Sequence, residues 1–352
     1  MRELIVNRMQ PEVDPVLHAW GWEIPVDLFF AAVVSGMMIL SGVALLRALR
    51  AGGATDRPPL LAVHAPLLAF ALVHICLLAL FLDLSHKLYV WRLYLTVQPA
   101  SPMSWGSWML TATYGVLALT ALTTFPARWP WLMQTVPPLG RLAGWLSVPA
   151  RLKALAWANI VLGTGLVLYT GVLLATMVAR PLWNTMVLPP LFLASGLAGG
   201  AAMVALAARF VPQPGTAPAG LVGGLVNALI APVPGQSRSA VDAPTFTRLA
   251  LIGLVAQAVL IFLFAIGLAS GSASQIAALQ LLLSGPFALL FWAGVVAAGV
   301  VLPLALMALP AARPRLAPVA LVLLLAGGLA LRWAIVDAGQ ASRMLPMMGF
   351  GG

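Results

Sequence analysis

Charge is what this chain has least of. Only 8% of its 352 residues are Asp, Glu, Lys or Arg, while 62% are hydrophobic; an average soluble domain is about a quarter charged. So few charges cannot cover a soluble protein of this size, and most of the surface is expected to face lipid. Cysteine is nearly absent as well: the single Cys76 lies inside an apolar run. One cysteine excludes an internal disulfide, a thiolate-held iron–sulfur cluster and a Cys-rich zinc site, and Cys76 is expected only to fill space. Basic clusters are lacking too. The net charge of +10 comes from 19 Lys and Arg spread singly through the gaps between apolar segments, not gathered into the stripe that binding to nucleic acid requires. The opening residues are polar and acidic, without the basic region and short apolar core of a cleavable leader, so none is expected.

What the chain has in abundance is long apolar runs. Windows long enough to cross about 30 Å of hydrocarbon at 1.5 Å per residue give eight spans, at 24–46, 62–84, 105–125, 155–178, 187–208, 249–268, 284–309 and 316–336. Runs this apolar must be helices, because strands in lipid require a closed barrel and show alternation. The expected fold is all-α, a polytopic membrane protein with eight transmembrane helices in two packed four-helix bundles. It forms one domain over 1–352: an outer segment at 1–23, helices one to five within 24–210, a Pro/Gly-rich cytoplasmic loop at 211–248, helices six to eight within 249–336, and an outer tail at 337–352. Ala32 and Gly36, beside Ser35, give the first span a small-residue face for close packing. A short interfacial helix is expected at 139–146. The apolar piece GLVGGLVNALIAP at 220–232 is too short to cross and is expected to lie on the membrane.

Eight crossings place both termini on one face. Arg2, Arg8, Lys87, Arg92, Arg180, Arg332 and Arg343 fall on that face and the other basic residues on the opposite one. The positive-inside rule puts the richer face in the cytoplasm and both termini outside. Acids follow the reverse pattern: Glu3, Glu12, Asp14, Glu23, Asp27, Asp83 and Asp337 gather on the outer face. Acids contribute little to orientation, so their gathering points to a protein partner or a proton-handling site.

The densest chemistry lies in the outer stretch FLDLSHKLYVWRLYLTVQPASPMSWGSW, 81–108. A charge at the hydrocarbon edge is costly unless paired, so Asp83 is expected to meet Lys87 or Arg92. Ser101 and Pro102 suit the N-cap and first residue of the third span, turning free backbone N–H groups outward to an anionic or carbonyl oxygen. A flat ring with two carbonyls would find walls in Trp105 and Trp108, a hydroxyl in Ser104, and a proton donor in Asp83 or His86. Quinone, which arrives from lipid and needs protons when reduced, fits this description. Generic aromatic belting explains the tryptophans equally well. Glu23 and Asp27 stand four apart on one side of a turn, as a proton path or as solvated acids favoured by the helix dipole. His74 has no histidine counterpart in another span, so haem held between two helices is not expected; a hydrogen-bonded core role is. Tyr114, Asn159, Thr164, Tyr169, Thr170 and Gln257 are expected to bond helices together. Spans two to eight carry no continuous string of acids, which weakens a reading as a proton pump.

WGWEIPVDLFFAAVVSGMMI, the LDL and WR elements, PASPMSWGSW, YTGVLLATMVARPLWNTMVLPPLFLASGLAGGAA and LRWAIVDAGQ follow one another from about 20 to 340. In that order they resemble the motifs of the NrfD-type polysulfide reductase membrane subunit family. The resemblance implies an eight-helix anchor, without haem or metal of its own, in a bacterial inner membrane. It implies exchange of electrons and protons between menaquinone or ubiquinone and a ferredoxin-like iron–sulfur subunit on the periplasmic face, joined to a molybdopterin or multihaem catalytic subunit. It further implies His18 and Glu23 at a pocket entrance and Asp83 as the acid of the family's Asp-Leu-Gly-Arg element. Here DLSHK puts His86 where that arginine usually stands, and Asp27 stands where a tyrosine often does. On this reading Asp83, His86, Glu23 and Asp27 handle protons, while His18, Lys87, Arg92, Ser104, Trp105, Trp108 and Tyr114 contact the quinone. The rival is an anchor or ion-coupling subunit of such a complex without redox work. A transporter would need discontinuous helices in related halves, for which Pro286 is a faint sign.

Overall fold

The computed structural model describes residues 20–50, 60–210, 243–308 and 313–344, and the regular elements among them are helices. His18 and the 220–232 segment lie outside the described residues. In chain order the elements are α1 (Glu23–Arg50), α2 (Leu60–Asp83), a 3-10 turn (Lys87–Tyr89), α3 (Arg92–Leu95), α4 (Pro102–Leu122), α5 (Phe125–Arg128), α6 (Pro130–Thr135) and α7 (Pro137–Leu146). They continue with α8 (Pro149–Ala175), α9 (Leu188–Phe210), α10 (Ala243–Ala269), α11 (Ala273–Leu283), a π-helical stretch (Leu290–Val301) running into α12 (Leu302–Ala308), and α13 (Arg313–Ala341). Seven helices among the described residues are long and apolar enough to cross a bilayer: α1, α2, α8, α9, α10, the rod Leu290–Ala308, and α13. The span expected at 105–125 corresponds to α4, 21 residues long, whose opening turns, rich in Trp and Ser, leave it outside that set.

Local chemistry sets the ends of these helices. Ser101 is extended and Pro102 opens α4, although the Ser101 hydroxyl makes no cap bond. The interfacial helix expected at 139–146 is present as α7. The run expected at 284–309 instead begins with a turn through Ser284, Gly285 and Pro286, and α11 precedes it as an additional helix. A capping box fixes the start of α11: the Gln275 N–H donates to the Ser272 hydroxyl at 3.3 Å, and the Ser272 N–H donates to the Gln275 side chain at 2.9 Å.

α1 is the central strut, packed on α2, α8, α9 and α13. Its small face meets α9 so closely that a Cβ at Gly36 would strike the Gly196 carbonyl oxygen. Without a hydrophobic force between helices in lipid, such backbone approach is what drives their packing.

One end of the bundle is tied together by polar bonds. Trp20 and Gln340 bond reciprocally, backbone N–H to Oε1 and Nε2 to backbone carbonyl, each at 3.0 Å. Arg180 donates to the Gln340 and Ser342 carbonyls at 2.8 and 2.9 Å, and the buried Trp183 donates from its indole to the Ile335 carbonyl at 2.8 Å. Gln275 adds a bond to the Asn184 carbonyl at 3.1 Å. The PLWNT motif therefore fastens the α8–α9 connection to the end of α13. We call this the terminal end.

Arg332 corrects one expectation. It is not an outer-face cation but a buried side chain of α13, with Nη1 donating to the Ser195 hydroxyl at 2.5 Å, Nη2 to the Phe192 carbonyl at 3.4 Å, and its guanidinium 4.5 Å from the Phe192 ring centroid. Nine residues separate it from the helix end at Ala341, about 14 Å at 1.5 Å per residue, too deep for the headgroup layer.

Candidate functional site

At the terminal end, α1, α2, α3, α4 and α8 surround a cavity of about 190 Å³. Its wall is mainly aliphatic, interrupted by Asp27 from α1, Cys76 and Asp83 from α2, Tyr94 from α3, Ser107 from α4, and Tyr169 and Thr170 from α8. Trp20 closes one side, and its ring stacks at 5.3 Å on Trp183. Helical period explains the α2 wall: Cys76, Leu80 and Asp83 recur at i, i+4 and i+7, one face of the helix. Asp27 is buried, and its Oδ1 accepts a hydrogen bond from the Cys76 thiol at 2.7 Å. Asp83 is half-buried on the same wall, within electrostatic reach of Asp27, Glu23 and Lys87.

The far wall is set by a tyrosine and a glycine. The Tyr169 hydroxyl donates to the Pro102 carbonyl at 2.7 Å, fastening α8 to the first turn of α4. Gly106 makes the room for it, since a Cβ there would collide with the Tyr169 hydroxyl. Burial pushes the Tyr94 hydroxyl above its ordinary pKa, and its proximity to Cys76 adds to that, so Tyr94 is a neutral hydroxyl at physiological pH. The cavity thus offers apolar walls for a flat ring with two carboxyl groups and two phenols set among them.

The family described as "Polysulphide reductase, NrfD" matches residues 10–222 and 217–343. The chain belongs to the NrfD family. It is 29% identical over 328 residues to the C chain of polysulfide reductase from Wolinella succinogenes, covering 91% of this protein and 94% of that one. It is 29% identical over 292 residues to "Protein NrfD" of Escherichia coli, covering 82% and 83%, and 31% identical over 136 residues to "Protein NrfD homolog" of Haemophilus influenzae, covering 39% and 36%.

In this NrfD-family protein the residues singled out from sequence separate into two groups. Asp27 and Asp83 stand on the cavity wall, with Glu23 half-buried one turn before Asp27. The other described ones are not on that wall. Asp83 forms no ion pair with Lys87 or Arg92; Lys87 donates to the Leu84 carbonyl at 3.2 Å, and the Arg92 guanidinium lies 4.7 Å over the Tyr89 ring and 5.5 Å over Trp91. His86 is exposed, its ring 6.4 Å from that of Tyr89. Ser104 and Trp105, expected to orient and wall the ring, instead staple the preceding loop to α4. The Ser104 hydroxyl accepts from the Gln98 N–H at 3.1 Å, and the Trp105 indole donates to the Pro99 carbonyl at 2.7 Å. Trp108 is exposed on α4.

His74 and Tyr114 form a separate pair. His74 lies on the outward face of α2, not in the core; its Nδ1 bonds the Phe70 carbonyl at 2.7 Å and its Nε2 the Tyr114 hydroxyl at 3.3 Å. Asn159 behaves as expected, donating to the Thr120 hydroxyl at 2.8 Å and so joining α8 to α4. Cys76, read from sequence as filler, instead holds Asp27; Tyr169 bonds α8 to α4 as expected, and what the sequence alone does not show is that it also lines the cavity. The usable signal is spacing, because Cys76 sits two turns before Asp83 on the same helical face.

Proposed function

We propose that this protein is a quinone-reactive membrane subunit of a respiratory complex, exchanging electrons and protons between the quinone pool and an iron–sulfur partner docked at the terminal end. The observation that carries the reading is Asp27 and Asp83 on the wall of an otherwise apolar cavity at that end. Oxidation of a quinol releases two electrons and two protons; the electrons go to the partner's nearest cluster and the protons need acceptors beside the ring. Asp27, deep in the cavity, takes a proton from the ring hydroxyl. Asp83, half-buried and near both Asp27 and Glu23, passes it outward. Tyr94 and Tyr169 hold the ring by hydroxyl contact and edge packing, and the aliphatic wall keeps bulk water from the reacting oxygens. Reduction of a quinone runs the same steps in reverse.

The Wolinella relative carries the name of one lettered component of polysulfide reductase, hence of one subunit among several, which supports a partnered role here. The substrate-reducing or substrate-oxidising centre then lies on another subunit, of molybdopterin or multihaem type. The quinone is menaquinone or ubiquinone. The reciprocal bonds between Trp20 and Gln340 support a reading in which both described ends lie at one face and the number of crossings is even. Counting α4 as a crossing gives eight, in two groups: α1, α2, α4 and α8, then α9, α10, the rod Leu290–Ala308 and α13. The scarcity of basic residues in the loops at the terminal end supports placing that face in the periplasm.

Asp83→Asn tests the reading. Quinol-dependent electron transfer in the purified complex is expected to fall by about tenfold or more with assembly intact. A silent substitution would favour the non-redox anchor instead.

A further inference from the structure

We propose that the quinone's prenyl tail leaves the ring cavity through a lipid-facing groove between α2 and α4, a site for an isoprenoid tail distinct from the ring site. This inference rests on the quinone reading above. A second hollow, of about 250 Å³, is lined by Leu77, Tyr94, Leu110, Thr111 and Tyr114. Leu77, Tyr94 and Leu110 line the ring cavity as well, so the two spaces share one wall. Thr111 is exposed on the α4 side of the groove, and Ile75 and Leu78 are exposed beside Leu77 on α2. In a bilayer those residues face lipid.

The chemistry selects the occupant. A membrane quinone carries its ring and its tail on one molecule, so a ring seated near Asp27 and Asp83 needs an apolar exit for the tail. The groove supplies that exit on the side where it shares Leu77, Tyr94 and Leu110 with the ring cavity. Its floor is marked by Tyr114, held by His74, which lies nine residues before Asp83 in α2, about 14 Å down the axis at 1.5 Å per residue. A polar pair facing hydrocarbon at that depth is costly, and the bond between its members removes most of the penalty while leaving the aliphatic rim free for a tail to slide past. A phospholipid acyl tail shares the apolar chemistry of a prenyl tail but not the covalent link to the ring.

The test uses the intact complex with two probes, a long-tailed menaquinol and its prenyl-free analogue menadiol. Thr111→Trp fills the groove without touching the ring cavity. It is expected to raise KM for menaquinol by about tenfold and to leave KM for menadiol as in the wild type. Ala112→Trp, one residue along and outside both hollows, is expected to change neither. Equal effects of Thr111→Trp on both quinols, or no effect on either, overturn the groove. A second measurement needs no variant: menaquinone carrying a diazirine on its first prenyl units is expected to label 74–78 or 110–114, and labelling confined to other helices overturns the proposal. A wild-type complex that turns over neither quinol overturns the quinone reading itself, a separate failure.

Discussion

Asp27→Asn is expected to cut quinol-dependent electron transfer by about a hundredfold or more, within the range that a positioned acid–base group contributes, while the subunit still inserts and assembles. The substitution keeps the shape and lets the Cys76 thiol donate to the remaining side-chain oxygen, so the 2.7 Å contact has a counterpart in the variant. What disappears is the capacity to take up a proton beside the ring. Asp27 is expected to be more sensitive than Asp83 because it is buried, where water cannot substitute as acceptor, whereas Asp83 is half-exposed and solvent can relieve its loss. The measurement is single-turnover reduction of the partner's clusters by added quinol, with electrons from a chemical reductant as the control for cluster integrity. Loss of assembly in place of loss of turnover would make Asp27 a structural acid.

Gly36→Leu is expected to abolish the folded subunit or lower its thermal midpoint severely. Overpacking costs about 1–3 kcal/mol where neighbouring side chains can give way. At Gly36 the obstacle is the backbone of Gly196 and Gly200, which cannot rotate aside, so α1 and α9 must separate. That crossing lies at the centre of the bundle, where α1 also holds α2, α8 and α13. Gly115→Leu is the matched control, since a Cβ at Gly115 meets nothing within 4 Å. Thermal unfolding in detergent, followed by loss of monodisperse elution, is expected to leave the Gly115 variant at the wild-type midpoint.

Long apolar runs make the crossing helices legible in the sequence, because hydrocarbon admits no other backbone solution. The Ser101 and Pro102 start of α4 and the Ala32 and Gly36 face are legible for equally local reasons. α11 is not, although Ser272 and Gln275 carry the spacing of a capping box; its short apolar run falls between two longer ones and below spanning length. In the site, Asp27 and Asp83 stand out because acids near hydrocarbon are rare. Cys76 and Tyr169 do not, since their roles depend on which helices meet, and one sequence read alone does not reveal that α8 faces α4. Density of chemistry is a weaker guide: Lys87, Arg92, Ser104 and Trp105 crowd one stretch, but in the fold Lys87, Ser104 and Trp105 bond to nearby backbone and Arg92 lies over the Tyr89 and Trp91 rings.

The measurement that bears most directly on the central claim is photolabelling of the intact complex with a quinone bearing an azide on its ring, followed by peptide mapping. Label on 20–31, 76–84 or 166–174, suppressed by excess quinone, is the predicted result. Label confined to helix ends on the opposite face, around 43–50 or 149–156, would contradict it.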